Sequence, residues 1–170
     1  MSKILQDKVL EDANFVGATK LTRVKAEELS VLGTLEASDL ICNNLDVAGS
    51  VTASGITVKG GTSIVGSLML KAPADPIKFP NTFQNLEISA EVISLEDTDV
   101  GEDIIVHPSL KNKAFKWFGK DRKQVLQLLG KTTVNGNVIF KSGVGVIEQD
   151  SAAKITGQIT GATVVRKSNE

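Results

Sequence analysis

The sequence predicts an all-β protein: an elongated, repetitive β-structure, either a β-solenoid or an intertwined trimeric β-fibre, with a short N-terminal arm. Three observations carry this expectation. First, the line "LDVAGSVTAS" from Leu45 is nearly copied sixteen residues earlier as "LSVLGTLEAS" and seventeen residues later as "TSIVGSLMLK". Second, each copy alternates apolar and polar residues with period two, as a half-buried strand does; on a helix the same apolar residues would wrap around the circumference. Third, aromatic residues make up only 4% of the chain and Tyr is absent, so the rings that fill thick cores are scarce. Small and branched aliphatics with abundant Gly suit a thin stack of strands joined by turns.

Taken in order, residues 1–28 differ from the rest of the chain. Ile4, Leu5, Val9 and Leu10 are compatible with a short amphipathic helix within the first fifteen residues, and the segment is charged. It reads as an arm that anchors the protein to something else or as a terminus packed on itself. Residues 29–71 form the first β-repeat segment. Aligned on a central glycine, the copies are Leu29, Val31, Gly33, Leu35, Ala37; Leu45, Val47, Gly49, Val51, Ala53; and Thr62, Ile64, Gly66, Leu68, Leu70. Leu40 matches Ile56 and Cys42 matches Val58, so each repeat pairs a long strand with a short return strand. A period of sixteen or seventeen suits a narrow solenoid coil or a series of stacked hairpins.

Residues 72–82 hold Pro73, Pro76 and Pro80 and cannot be a central strand. They are expected to interrupt the stack. Residues 83–170 form a second β-repeat segment with an aromatic and basic hairpin. Leu86, Ile88, Ala90, Val92 make a copy with Ala for Gly; "TTVNGNVIFK" supplies Thr132, Val134, Gly136, Val138, Phe140; Ala153, Ile155, Gly157, Ile159 make a further one. Gly33, Gly49, Gly66, Gly136 and Gly157 share parity with the apolar residues. They are therefore expected to point inward, where there is no room for a Cβ or the strand bends. "EVISLEDTDVGEDIIVHPS" reads as strand, acidic turn, strand, and Val125 to Leu129 reads as a strand rather than a short helix.

Chemistry finds few handles. A net charge of −1 gives no bulk basic field, and nucleic acid is not an expected partner. Apolar runs are far too short for a membrane span, and Asp7, Lys8, Glu11 and Asp12 interrupt any signal-peptide core. Cys42, the single cysteine, forms no intrachain disulfide and sits at an inward position as a small hydrophobe. The single histidine, His107, has no nucleophile elbow, P-loop or zinc motif beside it and reads as a strand-end residue. No catalytic residue and no cofactor is expected. Asp97, Asp99 and Asp103 alternate around Gly101 in "EDTDVGED" and could converge on calcium, although the spacing departs from an EF-hand loop; a solvated turn is the competing reading. In "KNKAFKWFGKDRK" basic residues surround Phe115, Trp117 and Phe118. This patch reads as a contact for a protein or glycan, as a stacking platform for single-stranded nucleic acid, or as a strand whose aromatics cap the core.

"LDVAGSVTASGITVKGG" and "KTTVNGNVIFKSG" resemble the repeats of phage tail-fibre, head-fibre and related virion structural proteins over about 29–71 and 114–161. The phrase "FKWFGKDRKQVLQLLGKTTVNGNV" is similar to their succession of aromatic strand, turn, apolar strand, Gly and repeat. That resemblance implies a non-enzymatic fibre, spike or decoration protein. It would be a homotrimer, made in a host cytoplasm, assembled into a virion, and bound to other virion proteins through its terminal arm. The same repeats also resemble bactofilins, polymer-forming β-helix proteins of the bacterial cytoplasm. An acyltransferase on a left-handed β-helix would need a hexapeptide rhythm, and the sequence lacks it.

Overall fold

The computed structural model describes residues 2–109 and 123–167. Among them every regular element is a strand, and all strands join one 13-stranded sheet. Strand β1 runs over Ser2–Val58, β2 over Thr62–Lys71, β3 over Asn81–Phe83, β4 over Leu86–Glu96, β5 over Thr98–Val100 and β6 over Ile104–His107. After residue 122 come β7 (Gln124–Leu129), β8 (Thr133–Val134), β9 (Val138–Phe140), β10 (Gly145–Gln149), β11 (Lys154–Ile155), β12 (Ile159–Thr160) and β13 (Ala162–Arg166).

Every pairing is parallel and lies within the one chain. The molecule is therefore a β-solenoid. Stacked hairpins, which need antiparallel partners, are not what the repeat builds. Strand β1 shows how. Arg23 bonds Asp7, sixteen residues back, and a straight strand would hold such residues roughly 50 Å apart. The chain instead turns at single residues with positive φ: Gly17, Arg23, Gly33, Asp39, Gly49 and Gly55. One-residue corners leave the ladder to the next rung unbroken, so the strand continues around them.

Three parallel ladders make three faces. On the first, Val47, Ile64, Ile88, Val106 and Phe140 lie over one another. On the second the column is Val51, Leu68, Ile93, Leu126, Ile147, Val164. On the third it is Val58, Phe83, Val100, Val134, Ile155. Most of these side chains are at most 2% exposed and form one continuous core. A column of aliphatics repeated at the strand spacing needs little aromatic volume, which accounts for the composition.

Several expectations are corrected. The helix proposed within the first fifteen residues is strand, and Leu21 and Val24, farther along the 1–28 segment, are fully buried in the core. Its polar residues alternate with Leu5, Leu10, Ala13 and Phe15 along a coil that stacks on the next one, and stacking outweighs the local helical pattern. The proline segment leaves the stack after Lys71 and returns at Asn81, with the sheet continuous across it. Gly33, Gly49 and Gly66 do not point into the core. They have φ of 134°, 143° or 144° and are half-buried or exposed at a corner. A Cβ on each would run into the carbonyl of the glycine one rung before: Gly17, Gly33 and Gly49 respectively. The strand bends there, and backbone lies directly on backbone.

Gly136 and Gly157 belong to a different corner, between the third face and the first. Val134, two residues before Gly136, stacks on Val100 of the third face. Alignment on the glycines superposes two corners that share the same alternation. The copy at Leu86–Ala90 is in phase, with Gly66 opposite Ala90, but the register then shifts so that Ile93 instead of Val92 faces Leu68. Val92 is consequently 51% exposed and Ile93 fully buried. This is a β-bulge, where one extra residue is accommodated.

The hydroxyls of Thr19 and Thr62 are buried without a hydrogen-bond partner. Thr62 occupies the position filled by Leu45 one rung earlier. Thr62→Val keeps the shape and removes the orphaned hydroxyl, so it should raise stability by about 1 kcal/mol. Denaturant titration checks this; a lower midpoint for the valine variant would mean that the hydroxyl is satisfied.

Candidate functional site

At two of the three corners of the solenoid, polar side chains tie each rung to the next. At the corner between the second and third faces, Asp7 and Arg23 form a two-point ion pair at 2.7 and 3.2 Å. The Arg23 guanidinium, through these bonds and its charge, holds the Asp7 carboxyl below its ordinary range, and Asp7 raises the arginine in turn. Arg23 and Asp39 have φ of 50° and 58°, where L residues are uncommon; Asp tolerates that region better than most. Along the same edge, the Lys131 amide donates to Asp97 Oδ1 at 2.9 Å and the Gly130 amide to Asp150 Oδ2 at 2.9 Å. At the corner between the third and first faces, Asn44 donates to Glu28 and accepts from the Gly61 amide, both at 2.7 Å. Farther along, Asp103 accepts from the Asn137 amide at 2.7 Å, and Asn137 accepts from the Gln158 amide at 2.8 Å.

This arrangement separates the three aspartates of the acidic turn. Asp97 and Asp103 each bond a backbone amide of the following rung, and Asp99 accepts from the Asn135 side chain at 3.4 Å. Among the described residues no three His, Cys, Asp or Glu side chains gather as metal ligands. His107 ends β6, and its Nε2 lies 3.1 Å from Glu87 Oε1 on the outer surface of the first face. Cys42 is buried, and burial, with the Glu28 charge beyond it, pushes its thiol up to about 12. A thiol so raised is neutral near pH 7 and inert as a nucleophile. Phe115, Trp117 and Phe118 lie outside the described residues.

Sequence reasoning missed two buried amides. Asn81 is 1% exposed. Its Oδ1 accepts from the Gly55 and Ile56 amides at 2.8 and 3.1 Å, and its Nδ2 donates to the Lys71 and Glu96 carbonyls at 2.8 and 3.1 Å. It closes the rung from which the 72–80 loop departs. Gln124, fully buried, donates to the Ala90 and His107 carbonyls at 2.7 and 2.8 Å and accepts from Ser142 at 2.7 Å. It opens β7. The signal in the sequence was an amide residue at the first position of each of these two strands.

The corner between the first and second faces is different. Its residues are 16–18, 32–34, 48–50 and 65–67, reading VGA, LGT, AGS and VGS, with no charge among them. Val16, Leu32 and Val65 project outward, 74, 58 and 46% exposed. Next to the bulge, this edge opens into a groove of about 380 Å³ lined by Val65, Gly66, Ser67, Ser89, Glu91, Val92 and Ser109, and Glu91 brings the first charge to this corner at the rung after Val65–Ser67. Among the described residues no helix is long and apolar enough to cross a membrane.

The fold and its corners define a parallel β-solenoid. No family model matches the chain, and neither a curated protein nor a solved structure does.

Proposed function

We propose that this chain is a non-enzymatic structural component of a large assembly: a fibre, spike or decoration element of a phage virion, made in the host cytoplasm and acting as a homotrimer. The observation that carries the reading is where the polar side chains go. Asp7, Arg23, Asn44, Asn81, Asp97, Asp103, Gln124 and Asn137 are spent on holding one rung to another. Such a rod is stiff along its axis and suits bearing or spacing. The repeat style adds the virion context. A polymer-forming β-helix of the bacterial cytoplasm, like the bactofilins, is the second reading; it is favoured by closure of the coil within one chain, which frees the ends for stacking.

Light scattering with electron microscopy of the purified protein separates these. Discrete particles of three chains' mass are expected. Long filaments would favour the polymer, and a monodisperse single chain would defeat both. His107→Ala, which removes only the surface contact with Glu87, should leave assembly intact. A defined activity lost in that variant without loss of stability would overturn the non-enzymatic reading.

A further inference from the structure

We infer that the uncharged corner at residues 16–18, 32–34, 48–50 and 65–67 is the face through which copies of this chain associate, side by side and in parallel. The inference rests on the homo-oligomeric reading above and says which surface serves it. The corner offers one apolar residue, one glycine and one small residue in each of four successive rungs, while charged residues make up 23% of the chain as a whole. Outward Val16, Leu32 and Val65 stay largely exposed in the single chain. A partner that seats a side chain against every rung must itself repeat at the rung spacing, and another copy of this solenoid does so.

The flanks fix the direction. In a cyclic parallel arrangement the first face of one copy meets the second face of the next at the same rung. Val16 then meets Ala18, Leu32 meets Thr34 and Val65 meets Ser67, larger on smaller at these three levels, with the glycines leaving the backbones free to approach. Farther from the corner, Asp46 on the first face comes opposite Thr52 on the second, and Glu36 on the second opposite Ser30 on the first. Each carboxylate faces a hydroxyl on its own rung, and Glu36, which lies one rung from Asp46 across the seam, keeps its partner Lys20 at 3.9 Å; such matching sets register and partner choice. The apolar strip framed by polar residues has the layout of an interaction surface.

The test is Leu32→Asp, with Val16→Asp as a second variant on another rung. Both positions are outward, so each variant should keep the β-sheet circular dichroism and the cooperative melt of a folded chain, lower than wild type only by what association adds. Val9→Asp serves as control, since Val9 is 82% exposed on the third face. Light scattering should show both corner variants as single chains, with wild type and Val9→Asp remaining three-chain particles. If folded Leu32→Asp and Val16→Asp stay oligomeric, the assigned face is wrong while the structural role stands. A wild type that is a single chain at every concentration overturns the self-association reading, and this face with it.

Discussion

Gly49→Val should lower stability by roughly 2–6 kcal/mol, combining overpacking with a β-branched residue held at positive φ. The cause is local and covalent in scale. Gly49 has φ of 144°, and its added Cβ would overlap the Gly33 carbonyl in the rung below. Neither atom is the end of a flexible side chain, so relief requires the two rungs to separate. Gly66 above is stacked on the Gly49 carbonyl in the same way, and the disturbance would pass to it. Ser50→Val, one residue along on the outward side, should change stability by less than about 0.5 kcal/mol. Thermal unfolding of the two variants side by side is the measurement. Equal melting temperatures would mean that the corner tolerates a side chain and that the stacking does not constrain it.

Asn81→Leu is expected to cost roughly 3–5 kcal/mol, because a buried group left unpaired costs about 1–3 kcal/mol and several are exposed at once. Leucine has similar volume but neither donor nor acceptor. It would orphan the Gly55 and Ile56 amides and the Lys71 carbonyl and leave the Glu96 carbonyl with only the Thr98 hydroxyl, all of them groups that meet Asn81 where the chain rejoins the stack. Asn135→Leu is the comparison. Asn135 is exposed and its side chain makes a single 3.4 Å contact to Asp99, so its loss should be within about 1 kcal/mol. Urea titration would show a lower midpoint for the first variant alone. Similar midpoints for both would mean that water replaces the Asn81 amide and that the rung is not closed by it.

The strands, their faces and their repetition are legible in the residues alone. Period-two alternation at Leu29–Ala37, Leu45–Ala53 and Thr62–Leu70 assigns the buried set, and the structure buries Leu29, Val31, Leu35 and their equivalents as read. The match of Cys42 with Val58 is legible too, because one inward position recurs in each coil. A strand's facing depends only on parity along the chain, so no distant contact is needed to read it. Three other matters depend on the folded coil. Residues 2–28 wind onto the stack, and their charged outward positions conceal the same parity in the sequence. The glycines are corners, and Gly136 and Gly157 stand at a corner other than that of Gly33, since alternation around a glycine is the same at each bend. Asn81 and Gln124 close rungs, with partners between 10 and 34 residues away in the chain. A side chain's direction is local, but its neighbours one rung above and below are fixed by the length of every coil between them.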